Sequence, residues 1–396
     1  SNRWPGNPDE HFADAARHHD VVPGLEADFI TGRGASNRRL LSHRGDIVKT
    51  VSIADLTRFT EDCFRKVGMR DADARAATEA LVTTDAMGVF THGTKSLVGY
   101  LKKLKGGGYG ATATPVIERE GPGWAVIDGA STLGQVGSIF AMQTAMQKAR
   151  DVGIAYIGLR NTGHIGAAGY YAVMAAKEGF ISTVTGNDMP SVAAPGSRGA
   201  VLGSNPIAFG IPVENGAPIF LDIATAAVAG GKVYAAHQRG EPIPTTWIID
   251  AEGQPTTDGS LYPFKASLAP MAGHKGYGFG LWCEILSAVL PGGNMTWQVG
   301  SWIFDEPSLP SWHNASFVVI SVDVIASRAE FGQRIRTLID EVHAAPTADG
   351  VESVLLPGER EWRNYHRAVD DGIPLPQDVI DKLQEAAEFM SVPMVS

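Results

Sequence analysis

Between Ser52 and Lys105 the apolar positions recur at helical spacing. Ser52 is a residue type favoured at a helix N-cap, Asp55 falls at the capping-box position, and Gly68 is a typical stop signal. The intervening apolar residues occupy positions 53, 56, 59, 63, 64 and 67, which is the period of one helix face. A second helix is predicted over 71–88, and a third runs from the "THG" turn to about Lys105. This part of the chain is therefore predicted to be a helical module.

Beyond residue 124 the pattern changes to strands that alternate with helices. Strand-like segments include "WAVID", "IAYIGLR", "FISTVTG", "NPIAFGIPV", "PIFLDIA" and "SFVVISVDV". The apolar run 276–290 predicts a buried helix that is too short to span a bilayer. Helical periodicity returns at 328–343 and 376–391. The pattern predicts an α+β fold.

The same pattern suggests how the chain divides. Residues 1–46 show no sustained period and are interpreted as an N-terminal extension. Because the last seventy residues return to helix, we expect both chain ends to form one helical domain, 47–121 with 325–396. Residues 122–324 would then form a second domain that contains most of the strands.

Composition and charge narrow the functional classes. The 396 residues are 44% hydrophobic and 19% charged, as in an ordinary globular protein. The net charge is −10 and no lysine or arginine run is long, so no nucleic acid and no membrane partner is expected. The two cysteines, Cys63 and Cys283, lie in unlike apolar contexts and predict no disulfide. With no visible signal peptide, a cytoplasmic location is the expectation.

The usual nucleotide and metal motifs are missing from the sequence. No G-x-G-x-x-G follows the first strand, and "AGGKV" has no Ser or Thr after the lysine, as a Walker A loop requires. A dinucleotide, if bound, must be held by another arrangement. No H-E-x-x-H or Cys/His cluster appears, so no catalytic metal is expected.

Three histidines lie in glycine-rich loops at predicted helix entrances: His92 in "THG", His164 in "NTGHIGAAGYY" and His274 in "AGHKGYG". A single such histidine is more typical of a structural hydrogen bond. Imidazole titrates at about 6.5, which suits proton transfer at a carbonyl oxygen near neutral pH. Glycine beside it lets a flat ligand approach the backbone. The residues alone leave both interpretations open.

Taken in order, these loops carry a resemblance to a known family. The chain resembles the non-Rossmann malate/L-lactate dehydrogenase family, which includes ureidoglycolate and sulfolactate dehydrogenases, 2,3-diketo-L-gulonate reductase and cyclic imino acid reductases. The similarity runs from about Val51 to about Leu383. It passes through "DAMGVFTHG", "VIDGASTLGQV", "GHIGAAGYYA", "LGSNPIAFGIP", "LDIATAAVAGGKV", "WIIDAEGQPTTD", "PMAGHKGYGFGL", "LLPGEREW" and "DGIPLP".

The resemblance implies a fold and a site. It implies a helical domain built from both chain ends, an NAD(P)-binding and substrate domain, 122–324, around a largely antiparallel mixed sheet, and a homodimer. It also implies that His92 is the proton donor to the substrate oxygen and that His164 lines the same site as a second acid/base candidate. The cofactor would be NAD or NADP, contacted by residues in three segments: Asp222, Ile223, Ala224 and Thr225; His274 and Lys275; Gly358 and Glu359.

One motif departs from the family. The family motif reads Ser-His-Gly-x-x-Arg, whereas this chain has "THGTKS". Thr91 keeps the hydroxyl, but Ser96 stands at the position of the arginine, a residue suited to clamp a substrate carboxylate. Lys95 is a point charge rather than a bidentate fork. Thr91, Lys95 and Ser96 are therefore the expected substrate-binding residues, and the departure leaves the substrate open.

The resulting hypothesis is an NAD(P)-dependent dehydrogenase or reductase acting on a CH–OH group. Hydride would pass between the nicotinamide and C2 of a small 2-hydroxy/2-oxo acid of malate or lactate type. One alternative is a cyclic imino acid (C=N) reductase that uses the same site. Another is a non-catalytic NAD(P)-binding paralogue. The sequence does not choose between NAD and NADP.

Overall fold

The computed structural model describes residues 49–394. The predicted extension, 1–46, lies outside the described residues. The helices within this range are α1 Ile53–Lys66, α2 Asp71–Ala86, α3 Leu97–Gly106, α4 Gly134–Val152, α5 Ala168–Lys177, α6 Gly230–Gln238, α7 His274–Glu284, α8 Val322–Ile325, α9 Arg328–His343, α10 Glu359–Asp371 and α11 Gln377–Met390. A 3₁₀ turn, Thr94–Ser96, precedes α3, and a π-helical turn, Ile285–Val289, continues α7.

The strands form three sheets. They are β1 Lys49–Val51, β2 Val116–Gly121, β3 Trp124–Asp128, β4 Ile154–Thr162, β5 Phe180–Gly186, β6 Val192–Ala193, β7 Ala200–Leu202, β8 Ile207–Ile211, β9 Ile219–Ile223, β10 Ile248–Asp250, β11 Pro255–Thr256, β12 Ala266–Leu268, β13 His313–Ser321 and β14 Ile373–Leu375. The orders are β1-β14, β11-β10-β12-β6-β7 and β2-β3-β4-β13-β5-β8-β9.

The seven-stranded sheet is the framework of the larger core. Its neighbouring strands pair antiparallel except for β3 with β4, which run parallel. Alternate residues such as Ile157 and Phe317 are fully buried under α4 and α5. The opposite face carries Tyr156, whose hydroxyl donates to the Leu286 carbonyl at 2.8 Å. This confirms the predicted α+β fold around a largely antiparallel mixed sheet.

A second core draws residues from both ends of the described chain. Leu56, Phe64 and Leu101 pack in it with Leu383 and Met390. The strand β1 pairs antiparallel with β14, which ties the entrance to α1 to the entrance to α11. The first predicted helix is capped as expected, because the Ser52 hydroxyl accepts the Asp55 N–H at 3.0 Å. This core packs α3 and the turn before it against α11.

Two features differ from the sequence prediction. The pattern analysis missed α10, although Trp362, Tyr365 and Val369 recur at helical spacing along it. The run 276–290 is helical, but it is buried on one side only. Phe279 and Trp282 are each 50% exposed, and Leu290 is 56% exposed. The continuous apolar pattern favoured burial all round, whereas the single chain covers only the side that faces the sheet.

No helix within residues 49–394 has the length and apolar character needed to cross a bilayer.

Candidate active site

A cavity of about 1960 Å³ opens between the helical core and the larger sheet. Three histidines, His92, His164 and His313, and two aspartates, Asp188 and Asp222, lie on its wall. These five side chains come from five separate segments of the sequence. The fold therefore gathers titratable groups that lie up to 221 positions apart, from 92 to 313.

His92 lies in the tight turn between α2 and α3. The Asp85 carboxylate, near the end of α2, accepts the backbone N–H of Thr94 at 3.0 Å and also its hydroxyl. Gly93 passes directly over this carboxylate, and a Cβ there would come within 1.8 Å of Asp85 Oδ1. Glycine is required by this close approach. The Asp85 contacts therefore hold the turn in place, and His92 in this turn lines the cavity.

The Asp85 carboxyl group is buried in this anchor. Asp85 is 1% exposed, and its Oδ1 has no hydrogen-bond partner. Burial raises the pKa of Asp85 to about 7, while the two Thr94 hydrogen bonds act to lower it. The group thus spends part of its time protonated at neutral pH.

His164 lies on the loop between β4 and α5, 5.9 Å from His92 between ring centroids. Its Nδ1 is 2.8 Å from the Tyr100 hydroxyl, and its ring stacks on Trp302 at 4.7 Å. Burial, helped by His313 and His92, lowers the pKa of His164 to about 3. The imidazole is therefore neutral at pH 7.

Asp222, near the end of β9, exerts the larger of the two carboxylate effects on the pKa of His92. Its Oδ2 accepts the N–H of Gly169 at the start of α5, at 2.7 Å. Burial raises the pKa of Asp222, partly offset by this N–H and by His92. Burial lowers the pKa of His92, while Asp222 and Asp188 raise it. The aspartate and histidine therefore favour each other's charged forms.

A buried hydrogen-bond network supports the far side of the site. The Nε2 of His313 is 3.1 Å from Asp188 Oδ1, and its Nδ1 is 2.9 Å from the Ser311 hydroxyl. Ser311 lies 2.9 Å from the Tyr109 hydroxyl, which accepts the backbone N–H of His164 at 3.1 Å. The network thus connects Asp188 to the loop that carries His164.

The expected substrate-binding residues lie around His92 in different environments. The Thr91 hydroxyl is 2.9 Å from His92 Nδ1. Ser96 is 5% exposed and its hydroxyl donates to the Thr91 carbonyl at 3.4 Å. Lys95 lines the cavity, but its Nζ donates to Asp378 on α11 at 2.6 Å. All three border the cavity, and Lys95 already has an acidic partner.

The expected cofactor-binding residues are divided. Four of them line the cavity: Asp222, Ile223, Ala224 and Gly358. Thr225 is buried, and its hydroxyl donates to the carbonyls of Ser204 and Asn205. Glu359 accepts from the Leu356 N–H and lies 2.8 Å from His343 Nε2. His274 and Lys275 are exposed at the start of α7 and do not line this cavity.

Sequence reasoning missed several side chains of the site. Asp188, Trp302 and His313 lie in segments without a recognised motif, and Tyr100 lies within the predicted third helix, where no role was assigned to it. One feature of the sequence could have indicated Asp188. The polar pair in "GNDMP" directly follows a predicted strand, and loops at strand ends often carry functional groups.

The cavity suits a dinucleotide together with a small substrate. Its volume exceeds the roughly 300–1,000 Å³ of a typical small-ligand pocket. Its lining also includes the cationic residues Arg198, Lys232 and Lys265 and Gly231, where a Cβ would meet nothing. Cations and open glycine backbone fit a diphosphate. Within residues 49–394 no cluster of three or more His, Cys, Asp or Glu side chains could hold a metal ion.

Comparison with known proteins identifies the family. Residues 51–384 match the malate/L-lactate dehydrogenase family. The chain belongs to this family. Malate dehydrogenase of Pyrococcus abyssi is 34% identical over 345 residues, covering 85% of this chain and 94% of that protein.

Other members of the malate/L-lactate dehydrogenase family are similar over most of their length. The Δ1-pyrroline-2-carboxylate/Δ1-piperideine-2-carboxylate reductase of Pseudomonas putida is 30% identical over 338 residues, 85% of this chain and 97% of the reductase. The structure of sulfolactate dehydrogenase from Methanocaldococcus jannaschii matches with a TM-score of 0.80 at 31% identity. It covers 87% of this chain and 98% of that one. The chain is therefore an oxidoreductase of this family.

Proposed function

We propose that the protein transfers hydride between a nicotinamide cofactor, NAD or NADP, and C2 of a small 2-hydroxy/2-oxo acid. The observation that carries this proposal is the His92–His164 pair, 5.9 Å apart on the wall of one large cavity, with Asp222 acting on His92. The relatives named malate and sulfolactate dehydrogenase support the substrate class.

His92 is the proton donor in the reducing direction. Its Nδ1 is engaged by the Thr91 hydroxyl, which leaves Nε2 for the substrate oxygen. Burial alone would hold the imidazole neutral, and the Asp222 carboxylate restores part of its affinity for a proton. General acid catalysis is most efficient when the pKa of the donor lies near the operating pH, and the carboxylate shifts the pKa of His92 in that direction.

His164 serves as a neutral hydrogen-bonding group. Gln135 donates to the Tyr100 hydroxyl at 3.5 Å, and Tyr100 in turn lies 2.8 Å from His164 Nδ1. If Tyr100 donates to Nδ1, the ring proton sits on Nε2 and can be offered to the substrate. The stack on Trp302 fixes the ring plane and excludes water from that side.

Lys95 is the candidate partner for the substrate carboxylate, once it leaves Asp378. Their side chains are 35% and 62% exposed, so solvent weakens this ion pair and exchange for a substrate carboxylate costs little. Arg198, Lys232 and Lys265 would hold the cofactor phosphates, and Ile223, Ala224 and Gly358 would line its path. His274, Lys275 and Glu359 stay as proposed cofactor contacts on the family resemblance alone. The cofactor supplies or accepts the hydride; the chain supplies position and the proton.

The alternative substrate is a cyclic imino acid. The carboxylates of Asp188 and Asp222 both act on His92, and such a pair would also stabilise a protonated C=N group. The similarity to the Pseudomonas putida reductase supports this second candidate.

The exposed side of α7 supports a homodimer. Phe279 and Trp282 lie on α7, and Val289, which is 50% exposed, and Leu290 lie at the end of the π-helical turn that continues it. Apolar residues of this size in a row are typical of a protein interface. Cys63 and Cys283 are free and buried, which suits the proposed cytoplasmic setting. Sedimentation or light scattering should give a dimer, and Trp282→Glu should shift it toward monomer.

One experiment tests the proposed function. The purified protein is assayed with NADH and NADPH against matched panels of 2-oxo acids and cyclic imino acids. Oxidation of reduced cofactor by a 2-oxo acid supports the proposal, and a preference for the imino acids supports the alternative. Binding of the cofactor without turnover of any compound would indicate the non-catalytic paralogue.

A further inference from the structure

The carboxylate of Asp188 lines the same cavity and acts on His92 through its charge, but no substrate contact has been assigned to it above. It follows β5, and its side chain is 27% exposed. Its Oδ1 accepts the Met189 N–H at 2.8 Å and contacts His313 Nε2 at 3.1 Å. Its backbone N–H donates to Asn205 at 3.1 Å. Oδ2 has no hydrogen-bond partner among residues 49–394.

The buried network determines how this carboxylate is held. His313 is 1% exposed, so it cannot exchange its partners for water. If Tyr109 donates to Ser311 and Ser311 to His313 Nδ1, then His313 must present an Nε2–H to Asp188. Within this network of Tyr109, Ser311, His313 and Asp188, each buried side-chain polar atom then has a partner, and Asp188 Oδ2 at the cavity is the atom left without one. A carboxylate fixed in this way is organised in advance to accept a hydrogen bond.

The charge balance around the histidines points in the same direction. The charged or titratable groups that act on His92 and His164 are Asp188, Asp222, His313 and the two histidines themselves. No lysine or arginine of the described chain is among them. A second carboxylate on the substrate would therefore meet negative charge here without a cation to offset it. A hydroxyl, ammonium or guanidinium group would meet a free acceptor.

We propose that Asp188, oriented by His313, is a specificity-determining residue that selects 2-oxo or 2-hydroxy acids with a hydrogen-bond donor on the side chain. The inference rests on the proposed function and deepens it. Asp188 accepts a hydrogen bond from the donor at the far end of the substrate, while His92 donates its proton to the reacting oxygen. His313 is a positioning residue, since it acts through Asp188. Dicarboxylic acids of malate type are disfavoured.

The test compares 2-oxo acids of similar length that differ at the far end. The four probes carry an alkyl end (2-oxohexanoate), a carboxylate end (2-oxoadipate), a neutral donor (6-hydroxy-2-oxohexanoate) and a cationic donor (5-guanidino-2-oxopentanoate). We expect kcat/KM for at least one donor-bearing acid to exceed that for the carboxylate-ended acid by at least tenfold. The two donor arms distinguish a hydroxyl from a cationic substrate.

Variants of Asp188 and His313 test whether these two residues cause any preference among the four acids. Asp188→Asn should lower kcat/KM for the donor-bearing acid by about 10- to 100-fold, as expected for the loss of a hydrogen bond to a charged group. The loss for the alkyl-ended acid should be clearly smaller, and it reflects only the charge that Asp188 exerts on His92 with every substrate. His313→Gln should give a smaller loss in the same direction, mainly in KM. Asp340→Asn, at an exposed position of α9, is the matched control and should leave kcat/KM for the donor-bearing and the alkyl-ended acids unchanged.

The outcomes separate this inference from the proposed function. Turnover of 2-oxo acids with a preference for the carboxylate-ended acid would overturn the role of Asp188 and leave the proposed function intact. An equal loss of kcat/KM for all four acids in Asp188→Asn would also overturn it. The same holds if the only change in this variant is weaker binding of NADH. Failure to turn over any 2-oxo acid, while cofactor still quenches tryptophan fluorescence, would overturn both.

Discussion

The Asp85 carboxylate accepts both the backbone N–H and the hydroxyl of Thr94, two residues beyond His92. This contact joins the end of α2 to the turn that carries the proposed proton donor. Because Asp85 is buried, the two hydrogen bonds are shielded from water and hold the turn firmly.

Removal of this anchor should affect both stability and catalysis. We expect Asp85→Ala to lower the free energy of unfolding by about 1–3 kcal/mol, because it leaves buried Thr94 donors without partners. Asp85→Asn keeps an acceptor and should retain most of the stability and of kcat. Chemical denaturation and steady-state kinetics measure the two effects. Equal behaviour of the Ala and Asn variants would contradict the anchoring role, and the exposed Asp340→Ala is the control.

Gly93 should tolerate no side chain. In Gly93→Ala the new Cβ would lie 1.8 Å from Asp85 Oδ1, and this short, buried side chain has no room to move aside. The turn must shift, so we expect a lower melting temperature and a loss of turnover. Gly231→Ala, where a Cβ meets nothing, is the stability control and should melt at or slightly above the wild-type temperature. A wild-type melting curve for Gly93→Ala would show that the turn is not constrained.

His92 should be essential for turnover and dispensable for cofactor binding. We expect His92→Gln to reduce kcat by about 10²–10⁴-fold, the usual contribution of a general acid. The Kd for reduced cofactor, measured by tryptophan fluorescence, should change little. His366→Gln, at an exposed position of α10, is a matched control. Turnover near the wild-type rate in His92→Gln would remove this residue from the mechanism.

Asp222 should set the pH range of the reaction. Since its charge raises the pKa of His92, Asp222→Asn should lower that pKa further. Reduction needs protonated His92, so the descending limb of the pH–rate profile should move to lower pH, and the rate at pH 7 should fall. A profile with unchanged midpoints and only a lower plateau would show that Asp222 acts by position alone.

His164 should make the protein sensitive to acid. Its pKa is about 3 when folded, against about 6.5 for an unfolded histidine, so the unfolded chain binds the proton more readily. Relative to His164→Gln, wild type should therefore lose stability as the pH falls from about 6.5 toward 4, by up to about 1.4 kcal/mol per pH unit. Unfolding by urea at several pH values gives the difference. A constant difference between pH 7 and pH 4 would contradict the low pKa.

Local patterns predicted much of the fold. The Ser52 cap, the first two helices and the main strands followed from apolar spacing and turn residues, which act within a few positions of the chain. The same approach missed α10, whose apolar stripe is narrow among charged residues. It also placed the run 276–290 wholly inside, because spacing along one chain cannot show how much of a helix that chain covers.

The sequence by itself determined the family resemblance, the α+β class and two of the cavity histidines, His92 and His164. Only the tertiary structure decided that Asp188 and His313 join them, that Lys95 is paired with Asp378, and that His274 and Lys275 lie away from the cavity. The physical reason is the distance along the chain over which each type of interaction acts. Caps, turns and periodicity are local, whereas burial and charge–charge interactions depend on segments that meet only when the sheet and the helical core are assembled.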